Sequence, residues 1–168
     1  MTDQAVRDAY ERVTGPVDPV AVIVTCASGG ERAGCLVTFS VPCSIDPPRY
    51  AVWLSRRNHT YRVARGAGEL IVHTLTRADL PLAEYFGGVS GLREDKFARV
   101  PWDDRDGTPL LRVSGGWLRG RILSRGPGED TGGDHTCFVL APVAAGGGTA
   151  DDELLRLSDV NHIDPGQP

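Results

Sequence analysis

The chain has 168 residues, of which 40% are hydrophobic and 24% are charged, and its formal net charge at pH 7 is -4. This length and composition predict one globular domain over residues 1–168 with its own hydrophobic core. The acidic balance, without a basic stripe interleaved with aromatic residues, excludes the usual classes of nucleic-acid binder.

The first predicted element is an N-terminal helix within residues 1–15. Val6, Ala9, Tyr10 and Val13 recur at the i, i+3, i+4 and i+7 spacing of one helix face, and Gly15 begins the Gly-Pro pair that ends the helix. We expect this apolar stripe to face the body of the protein, as a lid or as a contact between two copies.

Three strand-like runs follow, over residues 20–25, 34–44 and 50–54. Gly-Gly and Pro-Pro punctuation separates them, and the second run stops at Asp46-Pro-Pro because proline cannot donate a hydrogen bond to a strand ladder. Uninterrupted apolar runs of this kind indicate strands that are covered on both faces or closed into a barrel.

The rest of the chain reads as strands with a few short helices. Thr60 is predicted to cap a helix over residues 61–65, and Asp79 to cap a second over residues 80–86. A third short helix over residues 93–98 carries Asp-Lys-Phe. Strands are predicted over residues 69–75, 110–113, 117–123, 136–143 and 154–157, with flexible loops at 126–133 and 144–148 and a C-terminal part of loop, strand and tail from 144 to 168.

Several classes of site have no pattern in this chain. It contains neither the glycine fingerprint of a Rossmann dinucleotide site nor a P-loop, and no hydrolytic triad order or metal-binding helix. The cysteines show no zinc spacing, so we predict no metal and interpret all four as reduced core thiols: Cys26, Cys35, Cys43 and Cys137. No apolar run approaches the roughly 20 residues that span a bilayer, and no signal pattern is present, so we expect a soluble cytoplasmic protein without a membrane partner.

Six segments, taken in order, resemble the flavin reductase-like family over residues 20 to 143. They are residues 20–25 with the Gly-Gly turn, the Asp-Pro-Pro strand end, Ser-Arg-Arg-Asn-His-Thr at 55–60, Asp-Lys-Phe at 95–97, Pro-Leu-Leu at 109–111 and Gly-Asp-His-Thr at 133–136. The resemblance implies a mainly β fold, an antiparallel Greek-key FMN-binding split barrel with peripheral short helices.

The chain also departs from the commoner family pattern. Where that pattern reads Gly-Met-Thr-x-Ser-Ser-Phe-x-Ser-x-Ser, residues 34–44 read Gly-Cys-Leu-Val-Thr-Phe-Ser-Val-Pro-Cys-Ser, and Ala-Pro-Val at 141–143 replaces Gly-Glu-Val. Two hydroxyls and one carboxylate are therefore missing. We interpret the chain as a variant branch in which flavin binding is retained and the substrate is left open.

The resemblance implies two sets of flavin-binding residues. Thr38, Phe39, Ser40, Cys43 and Ser44 correspond to the stretch that borders the isoalloxazine ring and ribityl chain. The second set is a basic turn at the start of a helix, where guanidinium and backbone N–H groups favour a phosphate. Taken on its residues alone, that turn is equally a solvated turn with a capping threonine; its members are Ser55, Arg56, Arg57, Asn58 and Thr60.

His135 corresponds to the family histidine near the nicotinamide and the flavin, which implies a catalytic role, although a lone turn histidine is more often structural. Lys96 and Phe97 read equally as an exposed charge and a buried anchor, so we assign them no role. His73 and His162 also receive none.

As a whole, the resemblance implies a flavin reductase that uses NADH or NADPH to reduce FMN or FAD, forms a homodimer and supplies a partner monooxygenase. Two alternatives stay open. One is a split-barrel flavoprotein that uses FMN or a deazaflavin on a dedicated small molecule, and the other is a non-catalytic flavin-binding protein. The sequence does not distinguish a prosthetic flavin from a diffusing one.

Overall fold

A computed structural model describes residues 2–126, 132–148 and 153–166. None of the helices within these ranges is long and apolar enough to cross a membrane. The strands are β1 (Val22–Ser28), β2 (Glu31–Val37), β3 (Ser40–Ser44), β4 (Arg49–Ser55), β5 (Glu69–Thr74), β6 (Trp102–Arg105), β7 (Thr108–Leu111), β8 (Gly116–Arg125) and β9 (His135–Gly147), and the helices are α1 (Asp3–Thr14), α2 (His59–Ala64), α3 (Leu80–Gly88) and α4 (Leu157–Val160).

Seven strands form one antiparallel sheet in the order β2-β1-β5-β8-β9-β4-β3, and β6 and β7 form a separate two-stranded ribbon. The two edge strands, β2 and β3, are consecutive in the chain and are joined by only Thr38 and Phe39. Three Cα–Cα steps span at most about 11 Å, so the sheet must curl until its edges nearly meet. The predicted mainly β split barrel is confirmed, and its split lies at residues 38–39.

Strand β1 is buried on both faces, as its unbroken apolar run predicts. Val22 and Val24 belong to the core inside the curled sheet, with Phe138 and Leu140 of β9. Ile23 faces the other way, into a second core that the sheet shares with α3, α4 and the ribbon. Side chains alternate along a strand, so a run without polar interruptions fits a strand that separates two cores.

Some predicted boundaries are wrong. The run over residues 34–44 is two strands, because the chain changes sheet edges at Thr38. Asn58, and not Thr60, caps α2, since the Asn58 side chain accepts a hydrogen bond from the backbone N–H of Thr60. Asp79 precedes α3 but makes no capping bond to it; its carboxylate accepts from the backbone N–H groups of Thr76 and Ser114.

The later predictions also need correction. Residues 144–147 are part of β9 and not a loop, because β8 supplies their hydrogen-bond partners. The predicted strand over residues 154–157 makes only isolated bridges before α4 begins. The short helix predicted over 93–98 is a single 3-10 turn at Lys96–Ala98. Of the loop predicted over 126–133, residues 127–131 lie outside the described residues.

Two predictions of burial are wrong. Helix α1 has no buried residue, and Val6, Tyr10 and Val13 are 51%, 66% and 75% exposed. Its apolar stripe therefore faces away from the body of this chain. Cys43 is an exposed free thiol, because it lies on the edge strand β3, whereas the other three cysteines are buried as predicted.

Candidate functional site

The connection across the split carries an exposed aromatic ring. The backbone carbonyl of Phe39 accepts a hydrogen bond of 2.9 Å from the N–H of Trp53, which holds the start of β3 against β4. The Phe39 side chain is 53% exposed, and its ring centroid lies 5.1 Å from that of His135. The split therefore presents a flat apolar surface next to an imidazole.

Two segments that are almost 80 residues apart in sequence meet here. Ser55 at the end of β4 pairs with His135 at the start of β9. The backbone N–H of Arg56 donates to the carbonyl of Asp134 at 2.9 Å, and the Arg56 guanidinium donates to the carbonyl of Gly133. The predicted basic turn and the Gly-Asp-His turn are thus one structural unit.

One nitrogen of the His135 imidazole is hydrogen-bonded to the neighbouring carboxylate. Its Nδ1 lies 2.7 Å from a carboxylate oxygen of Asp134, and this hydrogen bond holds the pKa of Asp134 below its usual range. Among the described residues, Nε2 has no hydrogen-bond partner. Because an ionised carboxylate only accepts hydrogen bonds, Nδ1 donates to it, and Nε2 is left for a ligand.

A cleft of about 200 Å³ opens beside the split. Thr38 and Asn58, one residue from each predicted set of flavin contacts, line it. Its other walls come from Leu36 on β2, from the end of α3 with the segment that follows it, and from the C-terminal residues beyond α4. The cleft therefore gathers parts of the chain that the sequence spreads from residue 35 to residue 166.

A larger cleft of about 330 Å³ adjoins it and shares Gly91 and Lys96 as lining residues. Its walls are the β1–β2 turn, His59 and the segment over residues 91–97. A Cβ on Gly91 would lie 2.9 Å from Cδ2 of His59, so only the glycine backbone fits so close to the imidazole. Arg32 and Arg93 also line this cleft, and the Arg32 guanidinium lies 3.6 Å from a carboxylate oxygen of Asp95.

Lys96 forms the wall between the two clefts and is 5% exposed. Its Nζ donates to the carbonyls of Gly34 at 3.0 Å and Phe86 at 2.8 Å, and burial lowers the pKa of the ammonium group to about 8. Phe97 is buried next to it. Both residues of the Lys-Phe pair are therefore buried anchors; the sequence signal was the Asp-Lys-Phe segment, which by itself does not distinguish burial from exposure.

Other predicted contacts are engaged within the protein. The Ser40 hydroxyl lies 3.0 Å from the Tyr50 hydroxyl, and Ser44 donates to the carbonyl of Pro47 at 2.7 Å. Ser55 is buried, and its hydroxyl accepts from the N–H of Arg57. Thr60 is 1% exposed and its carbonyl accepts from the thiol of Cys26. Cys43 and Ser44 lie at the far end of β3 from the split.

The residues around the split fit a flavin nucleotide. Phe39 offers an apolar surface for a planar ring, and Nε2 of His135, which no described residue contacts by a hydrogen bond, can pair with a polar edge. Arg57 is an exposed cation next to the cleft residue Asn58. Within the described ranges, no cluster of histidine, cysteine or carboxylate side chains could hold a metal ion. The donor set therefore suits an organic cofactor with a phosphate.

Comparison with known proteins points the same way. The chain is 32% identical over 106 residues to the FMN reductase (NADH) RutF of Stutzerimonas stutzeri, covering 62% of this chain and 58% of that protein. It is 28% identical over 127 residues to the reductase component of the FADH(2)-dependent resorcinol hydroxylase of Rhizobium sp., covering 75% and 69%. The fold also matches the NADH:FAD oxidoreductase SgcE6 of Streptomyces globisporus, with a TM-score of 0.77, 21% identity and coverage of 93% and 90%.

The likeness to SgcE6 establishes the fold only, and the chain spans less than two thirds of the RutF relative. A family match covers much more of the chain. Residues 17–160 match the family described as Flavin reductase like domain, a region that contains the split, the basic turn and the Gly-Asp-His turn. The chain therefore belongs to the flavin reductase-like domain family.

Proposed function

We propose that this protein is an NAD(P)H-dependent flavin reductase that binds FMN or FAD at the split and supplies the reduced flavin to an acceptor such as a partner monooxygenase. One observation carries the proposal. The structure joins the basic turn, the Phe39 ring and His135 at a single place beside a cleft, and no described residue occupies Nε2 of that histidine. Two relatives named as reductases support it.

When bound, the flavin would supply hydride transfer, and the protein supplies position and electrostatics. Phe39 would pack against the planar ring, and Arg56 and Arg57 would hold the phosphate. Asp134 orients the imidazole of His135, so that Nε2 holds or moves a proton on the nicotinamide side. Lys96 keeps the wall between the clefts in place through its two carbonyl contacts.

We further propose a homodimer. The exposed apolar stripe of α1 supports it, as do the exposed apolar side chains on and just after β3, Val41 at 47% and Ile45 at 95%. Exposed apolar surface of this kind marks association sites. Sedimentation should give a dimer, and Tyr10→Asp should shift it towards monomer.

A cytoplasmic location is part of the proposal, and four free cysteines support it, since disulfides are rare in reducing compartments.

A retained-flavin enzyme is the second candidate. Leu36 lines the cleft at a position where the commoner family pattern has a hydroxyl residue, so the cleft wall is more apolar than that pattern implies. Such a protein would keep FMN or a deazaflavin and act on a dedicated small molecule without turning over free nicotinamide nucleotide.

A two-step experiment tests these proposals. FMN should co-elute with the protein on gel filtration and raise its thermal midpoint, because a ligand that binds only the native state stabilises it. Catalytic amounts should then drive aerobic oxidation of NADH or NADPH with excess FMN or FAD. Retained flavin without nicotinamide oxidation would favour the second candidate. A thermal midpoint that FMN, FAD and deazaflavin all leave unchanged would contradict flavin binding altogether.

A further inference from the structure

The last described segment of the chain, residues 161–166, forms one side of the 200 Å³ cleft. Ile163, Pro165 and Gly166 line the cleft together with Thr38 of the β2–β3 connection and Asn58 of the basic turn. The segment lies beyond residues 17–160, the part that matches the family. We call residues 161–166 the C-terminal strap.

The strap lies on Gly87 and Gly88, the two glycines at the end of α3. The backbone N–H of Gly166 donates to the carbonyl of Gly87 at 2.9 Å. A Cβ on Gly166 would lie 2.6 Å from the carbonyl oxygen of Gly88, and one on Gly87 would lie 3.2 Å from Cγ2 of Ile163. Side chains at these positions would keep the strap off α3, so the glycines permit the contact.

The strap is held much more weakly than the chain that precedes it. Leu155 and Val160 are 1% and 4% exposed, and the backbone of Leu155 bonds on both sides, to Leu75 and Ala21 at 2.8 Å each. Beyond Val160, the N–H of Ile163 donates locally to the carbonyl of Val160 at 3.1 Å, and the half-buried Ile163 side chain packs against the second core. The described hydrogen bonds from the strap to more distant parts of the domain are that of Gly166 and that of His162.

The bond from His162 joins its Nε2 to a carboxylate oxygen of Glu84 at 2.9 Å, and both side chains are about half exposed. Exposed pairs of this kind contribute little to stability. The strap can therefore detach from α3 while the cores of the domain stay folded.

We propose that the C-terminal strap is a wall of the flavin site and sets the rate at which bound flavin leaves. This inference rests on the proposed function. With the strap on Gly87 and Gly88, Ile163, Pro165 and Gly166 bound one side of the cleft; with the strap detached, that side is open. If flavin leaves only from the open form, its release rate is proportional to the fraction of open protein. Weakening the contacts between the strap and α3 therefore accelerates release. The strap thereby decides between a retained and a diffusing flavin.

The test measures FMN release from the full-length protein by stopped-flow displacement. Gly166→Val should release FMN about tenfold faster, because its side chain would meet the carbonyl of Gly88 and the hydrogen bond to Gly87 would be lost. His162→Ala should accelerate release up to about fivefold, since it removes only an exposed pair. Glu153→Gln is the matched control. It breaks an exposed ion pair with Arg77 on the same part of the chain but outside the cleft, so release should match the wild type.

Faster release in both strap variants, with thermal midpoints close to that of the wild type, supports the inference. Release at the wild-type rate in both variants overturns it and leaves the flavin reductase proposal untouched. Equal acceleration in the Glu153→Gln control also overturns it, because the effect would then not be specific to the cleft wall. If the wild-type protein binds neither FMN nor FAD, the proposed function itself fails, and the strap inference fails with it.

Discussion

Two histidines in two regions of this molecule show how the surroundings assign a role to the same side chain. His73 lies on β5 where the β6–β7 ribbon meets the barrel, and it is 0% exposed. Its Nδ1 donates to the carbonyl of Ile23 and its Nε2 accepts from the N–H of Leu111, both at 3.0 Å. His135 at the split keeps Nε2 without a partner among the described residues. A histidine with both nitrogens engaged joins structural elements, and one with a nitrogen left over can serve a ligand.

Replacing the interior histidine should give the largest effect. His73→Ala leaves the N–H of Leu111 and the carbonyl of Ile23 buried without partners and opens a cavity, so we expect a loss of about 3–4 kcal/mol in the free energy of unfolding. Urea unfolding measures it. His135→Ala serves as the surface control and should change the free energy of unfolding by less than about 0.5 kcal/mol. Equal losses in the two variants would contradict the contrast between the regions.

Low pH should lower the free energy of unfolding through the same interior histidine, His73. Burial lowers the pKa of His73 from 6.5 to about 4, so the folded protein favours the neutral ring that Leu111 requires. A lowered pKa of the folded state contributes stability that is present above pH 6.5 and is lost as the pH falls towards 4. The loss should be on the order of 3 kcal/mol. Unfolding measured between pH 7 and 4 should show this slope, and His73→Gln should reduce it; an unchanged slope in that variant would assign the effect to other groups.

At the split, the prediction concerns turnover. His135→Ala should slow NAD(P)H oxidation at least about tenfold while FMN affinity stays within about twofold, because Nε2 is assigned to the nicotinamide side. Asp134→Asn should give a smaller loss, since the imidazole remains but its orienting carboxylate does not. Steady-state kinetics with both variants measure these effects. Normal turnover in His135→Ala would mean that His135 has only a structural role in its turn, just as His73 has a structural role in the core.

The smallest expected effect is a difference in flavin affinity between variants of the two arginines of the basic turn. Arg57→Ala should weaken FMN about tenfold and leave riboflavin, which lacks the phosphate, unchanged. Arg56→Ala should weaken both ligands, because the Arg56 guanidinium also donates to Gly133 and fixes the turn that carries His135. Fluorescence titration with the two flavins measures this difference. Loss of riboflavin affinity in Arg57→Ala would indicate a structural role for that residue instead of phosphate recognition.

The predictability of this fold depended on how local each signal was. The strand runs and the doubly buried β1 follow from apolar periodicity and from glycine and proline punctuation, which act within a few residues. The exposure of α1 and the burial of Lys96 were not predictable in this way. An amphipathic stripe shows that a face can be buried but not by which surface. Lys96 is buried because two carbonyls from distant elements accept hydrogen bonds from its ammonium group.

The candidate site divides in the same manner. By itself, the sequence determined the family, because six segments in order resemble the flavin reductase-like pattern. That resemblance also assigned the candidate flavin contacts. Only the tertiary structure decided that residues 55–57 and 133–135 form one unit, that residues 38–39 join the two edge strands, and that Ile163, Pro165 and Gly166 line the cleft. Each of these depends on contacts between segments far apart in the chain, which arise only when the sheet curls and brings its edges together.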